Sequence, residues 1–164
     1  MVPRWVLFFP LAIFLLSSLS FSSAQDLMIQ PGKKVRSMGN AHIDDLDSPH
    51  APYNTSPPTS GPHVGGLAEW GVHKEPVPDE LQVHNLEDGG VIIQYNCESC
   101  DELISKLEAF AGENKHIVVA PYPEMKTRIA LTAWQRIDTL EEFDQARIER
   151  FIRAYMGIDH HLGF

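Results

Sequence analysis

The chain has 164 residues, with 13 Lys and Arg against 22 Asp and Glu, and a net charge of −9. An acidic chain of this kind disfavours nucleic acid and anionic membrane surfaces as partners and is compatible with cations. The length predicts one domain, and no G-x-S-x-G string occurs that would support a hydrolase.

The first 24 residues predict a secretory signal peptide. Arg4 precedes an apolar run from Val6 to Leu16, and Ser22-Ser23-Ala24 offers small residues for cleavage before Gln25. The run is short for a membrane span, and an uncleaved anchor is the alternative. We therefore expect a signal peptide over 1–24, an N-terminal arm over 25–38 and a single domain over 39–164. After cleavage we expect no membrane span and a periplasmic or extracellular location.

Residues 25–79 lack a sustained period and are rich in Pro and Gly. A loop of that length inside a compact domain is uncommon unless it is functional. In YNTSPPTSGPH, from Tyr53 to His63, three prolines fix their own φ and push the preceding residues into extended geometry. The stretch therefore predicts a preformed binding loop, with a floppy N-terminal arm as the alternative.

The C-terminal half predicts the order β-β-α-β-β-α. LQVHNLEDGGVIIQYN, from Leu81, predicts two strands joined by a turn at Asp88-Gly89-Gly90. In the second strand, Val91, Ile93 and Tyr95 share one face.

A helix follows, begun by a Ser99–Glu102 capping box and ended by Gly112. Strands over 116–121 and 128–134 come next, and a second capping box at Thr139 and Glu142 begins a helix that ends at Gly157. The predicted class is α+β, a small mixed sheet with the long Pro/Gly-rich N-terminal loop region packed on it.

Histidines are concentrated in the Pro/Gly-rich region. Five of the eight lie there or beside it: His42, His50, His63, His73 and His84. Histidine is the commonest metal ligand, but no pair has the spacing of H-E-x-x-H or of a zinc finger. A metal site would therefore be assembled from distant segments.

Individual histidines differ in how well they suit a metal site. His63 is favoured as a ligand because Gly61-Pro62 fixes the backbone that leads to it. His84 is favoured because it begins a predicted strand. His50 and His116 are expected to be structural, and His160-His161 to form a solvated tail. Met125 lies in the rigid turn PYPEM. It is either a core residue that fills a gap or a thioether ligand that selects Cu(I) or a copper site of mixed valence.

Cys97 and Cys100 form a C-x-x-C motif between a predicted strand and a predicted helix, as in thioredoxin-like redox centres. The helix N-terminus favours a thiolate at Cys100, whereas the neighbouring acidic residues oppose it. An oxidising compartment favours a small local disulfide. A redox centre and soft-metal ligation, including a zinc site with His160-His161, remain the other interpretations.

Four stretches, YNTSPPTSGPH, GVHKEP, VHNLEDGGVIIQY and IALTAW, resemble a family of bacterial exported domains of unknown function. The resemblance extends from about Gly39 to the end of the chain. It implies a copper-handling His/Met constellation in which family positions are matched by His42, His63, His84 and Met125. The chain departs from the family where Asp88 replaces a histidine and where His73 replaces a tyrosine. The resemblance implies no reaction.

The leading hypothesis is an exported protein for copper storage, delivery or tolerance, with zinc as the other metal. Its predicted ligands are His42, His63, His73, His84 and Met125, and its predicted partners are the ion and another envelope metalloprotein. One alternative is a thiol–disulfide oxidoreductase that uses Cys97 and Cys100. Another is a noncatalytic extracytoplasmic interaction domain whose Pro-rich loop contacts a partner.

Overall fold

The computed structural model describes Met1 and residues 30–112 and 116–161. Apart from Met1, the predicted signal peptide lies outside these residues. The strands are β1 (Lys33–Lys34), β2 (His42–Ile43), β3 (His63–Val64), β4 (Gly71–Val72), β5 (Val91–Tyr95), β6 (Ile117–Pro121), β7 (Ile129–Ala133) and β8 (Arg136–Leu140). The helices are α1 (Asp79–Glu87), α2 (Asp101–Glu108) and α3 (Gln145–Tyr155), and a 3₁₀ turn (Ala109–Ala111) follows α2. None of the helices described is long and apolar enough to cross a membrane.

Six strands form one mixed sheet in the order β1-β8-β7-β5-β6-β4, while β2 and β3 pair separately. The central strand, β5, runs parallel to β6 and antiparallel to β7. β1, which comes from the predicted N-terminal arm, joins the sheet as an edge strand antiparallel to β8. The predicted α+β class, with a mixed sheet and a loop-rich N-terminal region, is confirmed.

One face of the sheet is covered by α2 and α3 and is apolar. Val91, Ile93 and Tyr95 of β5 contribute to this core together, as their alternation predicted. The last helix adds Ile148, Phe151, Ile152 and Tyr155. Full burial of an aliphatic or aromatic side chain contributes about 1.5–3 kcal/mol, so this layer is a main source of stability.

The other face is covered by α1 and the Pro-rich loop and contains many polar side chains. Its apolar part joins α1 to the sheet through Val83, Leu86, Ile92, Val118 and Trp134. Between these, the amide of Gln94 donates to Oε1 of Gln82 at 2.8 Å. Asn85 bonds both the N–H and the carbonyl of Ala68. The side-chain amide of Gln94 thus holds α1 against the sheet, and that of Asn85 holds the loop at Ala68 against α1.

The segment from Asp79 to Glu87 is a helix, and the prediction of a strand there is wrong. Asp79 and Glu80 lie in the first turn, where carboxylates are stabilised by the helix dipole. All of residues 82–87 are buried, so polar and apolar side chains are buried alike and no apolar stripe marks the helix. Asp88-Gly89-Gly90 joins a helix to a strand and is not a hairpin turn.

The sequence did not predict β8, which follows β7 through the turn Trp134-Gln135. Gln135 adopts a left-handed φ of 57°. Because this turn contains none of the residues that usually mark such a conformation, the pattern gave no signal for a hairpin.

Both predicted capping boxes are wrong. Thr139 lies in β8, and α3 instead begins after Asp144, whose carboxylate accepts from the N–H of Arg147 at 3.0 Å. α2 begins after Cys100, and Ser99 has a φ of 54°, so Ser99 does not cap it.

The Pro-rich stretch before His63 is held at both ends. The hydroxyl of Tyr53 donates to the carbonyl of Pro62 at 2.5 Å, and residues 57–61 are buried. Gly61 has a φ of 130° and donates its N–H to the carbonyl of Gly39 at 2.9 Å. These bonds place the end of the loop against the segment that carries β2.

Candidate metal centre

Two short segments bring His42 and His63 together. β2 and β3 pair in parallel with His42 opposite His63, and the two ring centroids lie 4.8 Å apart. α1 packs against β3 and adds His84, whose ring centroid lies 5.3 Å from that of His42 and 5.1 Å from that of His63. Three imidazoles from three elements therefore converge.

Backbone carbonyls determine which nitrogen of the buried imidazoles faces this centre. His63 is fully buried, and its Nδ1 bonds the carbonyl of Gly61 at 2.8 Å. His84 bonds the carbonyl of Val64 in the same way, at 2.9 Å. A ring nitrogen next to a carbonyl must be the N–H, so the Nε2 of each neutral ring carries a lone pair. Burial lowers the pKa of His63, which favours the neutral form that binds metals.

Glu87 adds a carboxylate that is 1% exposed. Its Oε1 accepts from Nδ2 of Asn40 at 2.8 Å. Its Oε2 lies 3.0 Å from Nε2 of His63 and 4.0 Å from Nε2 of His42. Although Oε2 and Nε2 of His63 are close, they are not aligned for a hydrogen bond, and neither atom makes one. Buried polar atoms are rarely left unbonded, so this pair indicates a missing partner.

The spacing of the donors suits a transition metal. Donor atoms of His42, His63, His84 and Glu87 all lie within 4.8 Å of one another. With metal–ligand bonds of about 2.1 Å, neighbouring ligands lie about 3.0 Å apart around an octahedron and about 3.4 Å apart around a tetrahedron. The separations of 3.0 and 4.0 Å from the carboxylate oxygen bracket these values. Small side-chain shifts would let the four residues hold one ion.

Asp88 and His161 extend the cluster towards solvent. Their donor atoms and that of His84 form a second group within 4.8 Å. Nε2 of His161 lies 3.5 Å from Oε2 of Glu87, while its Nδ1 lies 2.9 Å from Oδ1 of Asp159. The bond to Asp159 raises the pKa of His161. Because Nδ1 of His84 is bonded to a carbonyl, only its Nε2 is available to either group.

Of the five predicted ligands, the structure brings together His42, His63 and His84. It does not bring His73 to them. Nε2 of His73 lies 2.7 Å from the carbonyl of Glu69, next to the edge strand β4.

Met125 lies at the other end of the central strand. It packs with Tyr122 and Ala130, and its carbonyl accepts from Asn96, which follows β5. Glu87 precedes β5, and a five-residue strand separates the two ends by about 13 Å. Met125 therefore fills a gap in the core, and the carboxylate of Glu87, not the thioether, lies beside the three histidines.

Sequence reasoning missed Glu87, Asp88 and His161. His84 and Glu87 are three residues apart, which places them on one face of a helix but on opposite faces of a strand. Predicting α1 from its acidic first turn would have paired them. No local pattern indicated His161, because its place depends on how the segment after α3 folds back.

The remaining histidines have structural partners. His50 lies 3.1 Å from Glu80, His116 packs edge-on against Trp70, and His160 stacks on Trp134.

Cys97 and Cys100 form a disulfide, in agreement with the local-disulfide interpretation. Both sulfurs are therefore bonded, and the zinc site proposed with His160-His161 is not formed. The pair follows β5, at the end of the strand opposite to the histidines. The thiol–disulfide exchange hypothesis stays a prediction.

The profile of a family described as "Protein of unknown function (DUF3105)" matches residues 47–161, and the chain belongs to this family. The match confirms the resemblance to a family of unknown function. It covers His63, His84, Glu87 and His161, while His42 lies just before it. No curated protein and no solved structure matches the chain.

Proposed function

We propose that this member of the DUF3105 family binds a divalent transition-metal ion, preferentially Cu²⁺, through His42, His63, His84 and Glu87. The ion would lie among the three Nε2 atoms and Oε2 of the carboxylate. Such a site would serve copper storage, delivery or tolerance, and we propose no reaction for it.

One observation carries the proposal: Nε2 of His63 and Oε2 of Glu87 lie 3.0 Å apart in the interior and neither is hydrogen-bonded. A neutral His63 whose N–H faces Gly61 presents a lone pair at Nε2, and a carboxylate at Glu87 presents one at Oε2. A water molecule has two protons and can satisfy only two of the four converging lone pairs. A single cation satisfies all four.

The donor chemistry narrows the choice of ion. Mg²⁺ and Ca²⁺ require mainly oxygen ligands, and Cu(I) prefers sulfur, which the position of Met125 does not supply. Three imidazoles with one carboxylate suit divalent ions of the first transition row, among which Cu²⁺ binds most tightly at a given site. Zn²⁺ is the principal competitor.

We also propose that the ion is bound outside the cytoplasm, in the periplasm or extracellular space. The signal-peptide pattern of residues 1–24 and the Cys97–Cys100 disulfide support this location. A cargo role there implies a second envelope metalloprotein as donor or acceptor of the ion. Mature protein recovered from the periplasm should begin at Gln25; recovery of the whole chain from the cytoplasm would contradict export.

The binding test compares the wild type with His63→Ala, His84→Ala and Glu87→Gln. Elemental analysis and competition titration with Cu²⁺ and Zn²⁺ should give one ion per wild-type chain, with Cu²⁺ the tighter. Each substitution should weaken binding by about 100-fold or more, since losing even a residue that merely supports a ligand costs 10–100-fold.

Two matched controls accompany the titration. His73→Ala removes an imidazole bonded to a carbonyl near the sheet edge, and Met125→Ala removes the predicted thioether. Both should bind Cu²⁺ like the wild type wherever the protein remains folded. Equal loss in His73→Ala and His63→Ala, or no uptake by the wild type, would contradict the proposed function.

A further inference from the structure

The segment after α3 folds back onto the proposed metal centre. Gly157 donates its N–H to the carbonyl of Gly89 at 2.7 Å, and His160 donates its N–H to the carbonyl of Glu87 at 2.8 Å. The segment is thus bonded both to Glu87, the last residue of α1, and to the turn that follows it, and these bonds set His161 beside the carboxylate.

Gly89 makes this close approach feasible. It has a φ of 80°, and a Cβ there would lie 2.7 Å from the backbone nitrogen of Ile158. Any side chain at this position would displace the segment from the turn. The contact between Gly89 and the segment after α3 is therefore part of the fold, and His161 is not part of a solvated tail.

His161 is arranged like the buried ligands. In His63 and His84, Nδ1 is bonded to an oxygen acceptor and Nε2 faces the centre. In His161, Nδ1 lies 2.9 Å from Oδ1 of Asp159, and Nε2 lies 3.5 Å from Oε2 of Glu87. A carboxylate behind an imidazole is a common way to orient a metal-binding histidine.

The distance of His161 from the carboxylate is comparable to that of His42, although the donors of His161 fall in the group with His84 and Asp88 and not in the group of four. The 3.5 Å from Nε2 of His161 to Oε2 of Glu87 is shorter than the corresponding 4.0 Å for His42. The ring centroid of His161 also lies 5.5 Å from that of His84. The side chains of His42 and His161 are 54% and 38% exposed, so the two flank the centre on its solvent side.

We infer that His161 is a fifth ligand of the same ion, and that the bound ion fastens residues 156–161 over the centre. This inference rests on the proposed function. Four nitrogens and one oxygen exceed the four-coordinate preference of structural Zn²⁺ and suit the five- or six-coordinate tetragonal sites of Cu²⁺. His161 therefore contributes to the choice of metal as well as to affinity.

The test uses purified protein loaded with Cu²⁺, with His161→Ala compared with the wild type and with His73→Ala. The variant should still bind one Cu²⁺, about tenfold more weakly or worse, with a smaller loss for Zn²⁺. Electron paramagnetic resonance should report one fewer coordinated nitrogen. His73→Ala should match the wild type in both measurements.

Hydrogen exchange at the amides of Gly157 and His160 gives an independent measure. Cu²⁺ should slow exchange of both in the wild type and in His73→Ala, and should leave it unchanged in His161→Ala. The inference would be overturned, and the four-residue site left intact, if His161→Ala kept an affinity within threefold of the wild type and an unchanged nitrogen count. It would also be overturned if Cu²⁺ did not change the exchange rates of these amides in the wild type. A wild type that binds no metal would overturn both proposals.

Discussion

The two faces of the sheet are built from different chemistry. On the face covered by α2 and α3, the buried side chains are apolar except for Asp138, whose carboxylate accepts from Arg147 at 2.5 and 2.8 Å. On the face covered by α1 and the loop, the buried side chains include histidine, glutamate, amides and hydroxyls. Among the residues described, the buried side-chain atoms without a hydrogen bond all belong to this face or its loop.

The difference in chemistry between the two faces suggests that one face stabilises the fold and that the other carries the proposed metal site. An unsatisfied buried polar group costs about 1–3 kcal/mol, and several such groups would be a liability in a layer that only holds the fold together. The apolar face offsets this cost, and under the proposed function a metal ion satisfies the unbonded donors of the other face. Changes on the two faces should therefore affect stability and metal affinity independently.

The largest expected effect is on stability and comes from the apolar face. Phe151 is fully buried and packs edge-on against Tyr155 with ring centroids 4.8 Å apart. Phe151→Ala should lower the free energy of unfolding by about 3–5 kcal/mol, measured by urea denaturation. The milder Phe151→Leu should lose much less. Folded protein of either variant should keep wild-type Cu²⁺ affinity; a folded variant that binds no metal would show that the faces are coupled.

A smaller effect on stability depends on pH and comes from Asp79, the first residue of α1. Desolvation raises the pKa of Asp79 to about 6, although Tyr122 and Gln82 donate hydrogen bonds to it. A carboxyl whose pKa is raised on folding binds its proton more tightly in the folded state, so stability falls as pH rises from about 4 to about 6. Asp79→Asn should then be about 1–2 kcal/mol more stable than the wild type at pH 8.

The stability difference for Asp79→Asn should shrink as the pH falls below about 6 and vanish below about pH 3, where the acid is protonated in both the folded and the unfolded state. Urea denaturation from about pH 3 to about pH 8 measures it. The exposed Asp47→Asn should stay within about 0.5 kcal/mol of the wild type throughout. A loss of stability in Asp79→Asn that is the same at every pH would show that its hydrogen bonds outweigh its charge.

The smallest expected effect is on the metal-free protein. Glu87→Gln retains an oxygen that can accept from Asn40 and removes a buried carboxylate, so the free energy of unfolding without metal should stay within about 1 kcal/mol of the wild type. The wild type should gain about 2.7 kcal/mol when the free ion is 100 times its dissociation constant, and the variant, which binds about 100-fold more weakly or worse, should gain at most about 0.4 kcal/mol. The exposed Glu141→Gln should gain as the wild type does; a gain in Glu87→Gln as large as that of the wild type would place the ion elsewhere.

The apolar face is also the part that the sequence predicts well. The alternation of Val91, Ile93 and Tyr95 and the apolar positions of the last helix identify it, because side chains buried on one side leave a periodic pattern. The helix start was misplaced there because Thr139 with Glu142 fits the capping pattern, whereas the chain pairs Thr139 into β8.

The face covered by α1 and the loop is harder to predict for a physical reason. α1 is buried along most of its length, and Gln82, Asn85 and Glu87 are buried because of partners from other elements. The histidines could be predicted as candidate metal ligands because they cluster in the loop region. Glu87 could be paired with His84 only once the segment is recognised as a helix, and His161 could not be identified, since its position depends on tertiary contacts that leave no local pattern.

Anomalous diffraction from crystals grown with Cu²⁺ tests the central claim most directly. We expect one strong peak about 2.0–2.2 Å from Nε2 of His63 and from Oε2 of Glu87, the two interior atoms that lack hydrogen bonds. No peak between them at saturating copper, or a single peak at another place, would contradict the account.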